Sequence, residues 1–247
     1  MWQHPGVMIT PETPEDLVRM AARNNAEWCA AVSRSGTFSA SVWSSARRTP
    51  PLHPDAVTLT PGATAAEVVG GIDTRCPGCA VKDSFAALDL APAGFEVLFE
   101  ARWIHRAAGP AGAADTGLRW SAVRTAGELG AWAAAWSGGA DPGPFHAGLL
   151  GGDLVFLAGR RGERIVAGAV ASAGGGVVGV SNLFGAAGAD AGDGADAGAV
   201  WAAVLDAVAD RWPGRPVVGY ERGEDLEAAV RAGFAPIGPL RVWLRTG

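Results

Sequence analysis

Leu17, Met20, Ala21, Asn24 and Trp28 recur at three- and four-residue intervals and share one helical face. Thr13-Pro14-Glu15-Asp16 opens that helix with a hydroxyl N-cap, a proline at the first helical position and an acid at the third. Apolar runs then predict strands near Phe38–Ser44 and Ala56–Leu59. Thr64-Ala-Ala-Glu67 is a capping box that starts a short helix ending at Gly70-Gly71. A helix over about Asp83–Leu90 and a strand in GFEVLFEARWIHR, residues 94–106, complete the first half.

The pattern restarts at residue 118. Leu118–Val123 reads as a strand, and Thr125-Ala-Gly-Glu128 caps a helix whose Leu129, Trp132, Ala133 and Trp136 align on one face. Three strands follow at about Leu154–Ala158, Ile165–Ala173 and Val177–Phe184. Beyond a Gly- and Asp-rich loop, Val200, Val204, Val208 and Trp212 repeat every four residues in the strongest helix of the chain, stopped by Pro213-Gly214. Pro216–Tyr220 is a short buried strand, Glu224–Ala232 a helix with Gly233 as its C-cap, and Ile237–Leu244 the final strand.

Residues 108–117 are small and contain no large apolar side chain, so they are expected to link two domains, 1–107 and 118–247. Those domains also resemble each other: PAGFEVLFEARWIHR, 92–106, lies over RAGFAPIGPLRVWLR, 231–245, the mark of an internal duplication. With 247 residues, 49% of them hydrophobic, a sizeable core is available. A balance of 20 basic and 25 acidic residues gives neither half the charge of a nucleic-acid module. Without a signal-like N-terminus or a long apolar run, neither secretion nor a membrane is expected, and three cysteines suit a reducing cytoplasm.

The element order of the second half resembles the GNAT family of acetyl-CoA-dependent N-acyltransferases. Two further landmarks carry the resemblance: a Gly-rich loop between the fourth strand and the main helix, and a Gly-Phe pair before the last strand. It covers about residues 118–245, and a decayed version covers 14–106. It implies an α/β (α+β) fold of two GNAT-like domains, each a mixed twisted sheet flanked by helices. It also implies acetyl-CoA or another acyl-CoA as cosubstrate, no metal, and a small-molecule or peptide amine as acceptor. The fourth and fifth strands would part to admit the cofactor beside Leu183 and Phe184. Its pyrophosphate would meet backbone N–H groups of Gly192 and Gly194 at the helix N-terminus.

Two departures bear on activity. The family's loop begins with Arg or Gln, where this chain has Ala189, and Asp190, Asp193 and Asp196 crowd the phosphate position. A helix N-terminus gives an anion roughly 0.3–1 kcal/mol, and one carboxylate at about 4 Å costs about 1 kcal/mol even in water. The tyrosine that many members use as an acid is replaced by Ala229. Tyr220 and Glu221, at the end of the fifth strand, are the candidate acid and base, and Asn182 a candidate for the acceptor cleft. The competing roles are packing for Tyr220, helix capping for Glu221 and pairing at a bulge for Asn182. A catalytically silent GNAT-like binding module is therefore the alternative function.

Cys76-Pro-Gly-Cys79 lacks two further ligands for zinc and reads as a turn. Trp28, Trp132, Trp136, Trp201 and Trp212 sit at core spacing. His146 is a lone loop histidine and a weaker candidate base.

Overall fold

The structure, a computed structural model, describes residues 13–75, 77–109, 117–139, 143–185 and 197–246. In the first half these form α1 (Pro14–Ser33), β1 (Thr37–Phe38), β2 (Val42–Ser44), β3 (Ala56–Thr58), α2 (Ala65–Gly70), β4 (Ala80–Asp83) and β5 (Phe95–Arg106). The second half adds β6 (Arg119–Ala122), α3 (Ala126–Trp136), β7 (Leu154–Arg161), β8 (Arg164–Gly174) and β9 (Val177–Phe184). It ends with α4 (Ala197–Arg211), β10 (Val217–Glu221), α5 (Gly223–Arg231) and β11 (Ala235–Arg245).

Local chemistry sets most of these boundaries. Thr13, Thr64 and Thr125 each accept the N–H of the residue three places on, and Asp16, Glu67 and Glu128 return the bond. The run expected as one strand over 38–44 divides into β1 and β2, because the Ser39 hydroxyl accepts the N–H groups of Ser41 and Val42 and turns the chain. The helix expected over 83–90 does not form. Asp83 takes the N–H of Leu88 at 2.8 Å and that of Phe85 at 3.4 Å, holding the backbone in a loop that ends in a single 3₁₀ turn at Ala91–Ala93.

The two halves share one mixed sheet of eleven strands, ordered β1-β2-β3-β4-β11-β5-β10-β9-β8-β7-β6. Each half sends its last strand into the other. β5 lies between β10 and β11, and β11 between β5 and β4, all antiparallel. β3–β4 and β9–β10 are the parallel pairs among the described strands. The β5–β11 register has a pseudo-twofold at the Ala101–Leu240 pair, two residues that coincide when the repeated segments are overlaid. The register slips once past Ile237 and once past Leu98. These positions also coincide, so even the bulges obey the symmetry.

α1 and α3 cover one face of the sheet. α1 crosses both halves, packing Trp28 and Val32 against Phe156 and Val170, and Ala21 and Ala22 against Trp103, Val218 and Leu240. On the opposite face α2 closes Val42, Ala56 and Val81, while α4 and α5 close Val178, Val180 and Val217 through Trp201, Val204, Leu205 and Ala228. Trp28, Trp132 and Trp201 are buried, and Trp136 and Trp212 pack at the margins. Among the described residues no helix is long and apolar enough to cross a membrane.

Exchange of the last strands has a direct consequence for fragments. Residues 1–107 and 118–247, produced separately, are each expected to be aggregated or unfolded, and to combine one to one when refolded together. Size exclusion and circular dichroism test this; a monomeric, cooperatively unfolding 118–247 fragment would contradict the exchange.

Candidate functional site

β9 and β10 pair only at Val178–Val217 and Gly179–Val218, after which β9 continues to Phe184 and β10 to Glu221 without further pairing between them. This parting leaves backbone groups on both lips without a strand partner. A bulge sits on the β9 lip: the β8 register jumps between Gly168–Phe184 and Val170–Ser181, and Asn182 takes a left-handed φ of 52°. Asparagine tolerates that conformation, and a bulge re-aims the neighbouring backbone. Asn182 thus shapes the lip through its main chain. Leu183 packs toward Val200 and Ala167, and the Phe184 ring meets Trp132 edge-on at 5.2 Å. Both side chains are partly buried and pack against the core. Gly192 and Gly194, like Ala189, Asp190, Asp193 and Asp196, lie outside the described residues.

Tyr220 and Glu221 are not brought together. Neighbours in a strand point to opposite faces, and β10 follows the rule. Tyr220 stands under α1, its ring edge-on to Trp103 at 5.6 Å and 4.2 Å from the ammonium nitrogen of Lys82. Lys82, the chain's only lysine, is 4% exposed and donates to Asn25 Oδ1 at 2.7 Å. Tyr220 is partly buried and packs among these side chains. A cavity on this face, about 10 Å³, touches Asn24, Asn25, Trp103 and Tyr220 together with Val180 and Ser181 of the β9 lip.

Glu221 faces the other way, into an open cavity of about 410 Å³ that also touches Arg102, Leu226, Pro239 and Arg241. It does not cap α5, whose N-cap is Arg222 without a side-chain bond. Among the described residues its carboxyl makes no hydrogen bond or ion pair. Burial pushes its pKa up to about 8 from an ordinary 4.5, and the like charge of Asp225 adds to the rise.

The pseudo-twofold sharpens the contrast between the halves. Tyr220 and Glu221 pair with Trp103 and Arg102, and Lys82 and Asp83 pair with Val242 and Arg241 at the corresponding places. Asp83 is thus the counterpart of Glu221. Yet it is 1% exposed and spent on the Leu88 and Phe85 amides. The gap between β3 and β4 is bridged as well, since Thr58 Oγ1 accepts Ser84 N–H at 2.7 Å. Among the described residues, only the second half keeps a parted strand pair with an uncommitted carboxyl beside it.

Other sequence candidates stay apart from this place. Cys76 lies outside the described residues, and Cys79 is a buried thiol leading into β4. His146 contacts Arg34 and the Ala31 carbonyl at the end of α1. A larger cavity, about 880 Å³, lies between β6, β7 and α4. It borders the start of β7 and the last turns of α4, whereas the opening lies at the ends of β9 and β10, so the two are separate places. Lys82 and Arg102 were missed by sequence reasoning; the singularity of Lys82 and the place of Arg102 in the repeated strand were the available signals.

No family model and no curated protein matches the sequence. Solved structures do match. A GCN5-related N-acetyltransferase from Kribbella flavida aligns with a TM-score of 0.60 at 15% identity, over 92% of this chain and 96% of its own. A protein from the GNAT family of Novosphingobium aromaticivorans gives 0.58 at 16% identity, over 96% and 100%. A conserved, functionally unknown protein from Staphylococcus epidermidis gives 0.52 at 10%, over 69% and 73%. The chain has the GNAT fold.

Glu221 makes stability depend on pH in a defined direction. Between 4.5 and about 8 the folded chain holds a proton that the unfolded chain releases, so this residue's contribution falls as pH rises through that window. Glu221→Gln is expected to flatten the decline, raising the melting temperature relative to wild type most at and above pH 8. Equal slopes for both proteins in a pH series of thermal melts would refute the assignment.

Proposed function

We propose that the chain is an acyl-CoA-dependent N-acyltransferase whose acceptor amine is deprotonated by Glu221. The observation that carries this reading is the uncommitted carboxyl on the β10 lip of a parted parallel pair, within a GNAT fold. Divergence of β9 and β10 suits the narrow arm of an acyl-CoA, because main-chain groups of Ser181–Phe184 replace a strand partner with a ligand.

An acceptor held in the cavity meets Glu221 first. A carboxyl with a pKa of about 8 is close in proton affinity to an alkylammonium, so its ionised form, whose share grows as pH rises toward 8, accepts that proton with little loss of driving force. The freed amine attacks the thioester carbonyl, the C–S bond breaks as the N–C bond forms, the nitrogen gives its second proton to solvent, and the leaving thiolate takes up a proton. Tyr220, enclosed by Trp103 and Lys82 on the far face, is the less favoured donor of that proton. Solvent at the open cavity supplies it instead. The enclosed tyrosine is also what favours the alternative, a binding module without catalysis.

Acetyl-CoA is expected to raise the melting temperature of the full chain, and acceptor amines to release free thiol from it. Glu221→Gln should cut the rate by about 10²–10⁴ while leaving the acetyl-CoA shift in place. The wild-type rate should climb as pH rises toward about 8, and this limb should be absent in the variant. A thermal shift with no thiol release across primary amines would favour the silent module; no shift even with longer acyl-CoAs would overturn both.

A further inference from the structure

The open face at the centre of the sheet carries two arginine–glutamate couples, each directly opposed across a strand pair. Arg241 faces Glu100 and Arg102 faces Glu221. The first couple is closed, with Nε and Nη2 of Arg241 donating to Glu100 Oε1 at 3.0 and 2.7 Å. The second is open. Directly opposed side chains start with Cβ atoms only about 5 Å apart, yet neither Arg102 nor Glu221 forms an ion pair with the other or with any other described residue. Both line the cavity of about 410 Å³.

The pseudo-twofold explains the difference. Arg102 and Arg241 occupy the same place in the repeated strand, but Arg241 has Glu100 across from it on β5, whereas Arg102 has Pro239 across from it on β11. The proline side chain has no group to answer a guanidinium. An exposed, unanswered cation and an uncommitted carboxyl lining one cavity are complementary to a ligand with both charges. A polycation would be repelled by Arg102, and a simple anion by ionised Glu221.

We propose that the acceptor is zwitterionic: an amine with a carboxylate or phosphate a few bonds away, whose anion is held by Arg102 while its amine meets Glu221. This rests on the acyltransferase reading for the fate of the amine, but the recognition itself does not require turnover. Arg102 is then the residue that determines acceptor class, acting through a charge-assisted, two-pronged bond that lysine copies only in part.

The test uses the full chain with matched probes: L-phenylalanine against L-phenylalaninamide, and phosphoethanolamine against ethanolamine. In thiol-release assays with acetyl-CoA, one or both acids should exceed the matched neutral-tailed amine by about tenfold to a hundredfold in kcat/KM. The pair that shows it distinguishes carboxylate from phosphate. Arg102→Gln should bring that ratio toward one, Arg102→Lys should restore part of it, and Arg119→Gln, at the outer edge of the sheet, should leave it intact. Equal use of acid and amide by the wild type, or a ratio that survives Arg102→Gln, overturns the proposal. If no amine is acetylated the catalytic reading fails, and binding decides the proposal: calorimetry should show the acids binding wild type and not Arg102→Gln. Absence of binding by both acids at millimolar concentration refutes it.

Discussion

The antiparallel ladder between β5 and β11 is the constraint on which the rest of the molecule depends. Because each strand leaves its own half, neither half can complete a sheet by itself, and the middle of the protein is made of pairs that no local segment contains. α1 then has a continuous surface to cross, with Ala101, Trp103 and Leu240 beneath it. Burying one large side chain such as Trp103, 1% exposed, is worth several kcal/mol, since truncating a buried Trp typically costs about 3–5 kcal/mol. That gain is tied to the exchange, because Trp103 comes from one half and its neighbours Tyr220 and Val218 from the other. The opposite face of the same ladder is left open. There the first half has a loop held by Asp83 where the second half has α5, so no helix covers Arg102 and Arg241 from that side.

Asp83 and Glu221 show how one position acquires two chemistries. Both end a strand that belongs to a parallel pair, and both stand across from an arginine of the repeated segment. Asp83 accepts backbone N–H groups, which satisfy its oxygens and commit it to the loop. Glu221 has the desolvation without the donors, so burial favours its neutral form and moves its proton affinity toward that of an amine. A longer side chain followed at once by a helix, rather than a shorter one followed by an Asx-type loop, separates a potential base from a structural cap.

The sequence revealed what local chemistry decides. Capping boxes at Thr64 and Thr125, the helical stripe from Leu17 to Trp28 and the strands around Ile165–Phe184 all formed where their residues demanded. The Asp83–Leu90 helix was misread because a side chain that captures amides two and five residues ahead overrides apolar spacing. Strand exchange was illegible for a deeper reason. β5 and β11 carry nearly the same pattern, a Gly-Phe pair followed by a long strand with a late tryptophan, so either could lie beside either half, and only tertiary pairing chooses. The candidate pair Tyr220 and Glu221 was found, but adjacency in sequence is opposition in a strand. Arg102 looked like one arginine among 20 basic residues until its partner across the ladder proved to be Pro239.

The two faces of β10 differ in whether they have room for an acceptor. On the α1 side, Asn24 donates to the carbonyls of Ser172 and Gly174, and a Cβ at Gly179 would collide with its side chain. Trp103 and Lys82 close the remainder around Tyr220. The space left there, about 10 Å³, is at the lower limit of about 10–15 Å³ that one water needs. Opening it means breaking the buried Lys82–Asn25 bond and lifting α1 from both halves at once. No such cost attaches to the other side, where about 410 Å³ already stands open over β5, β11 and the start of α5. An amine held in that cavity would therefore lie beside Glu221 and Arg102, and not beside Tyr220.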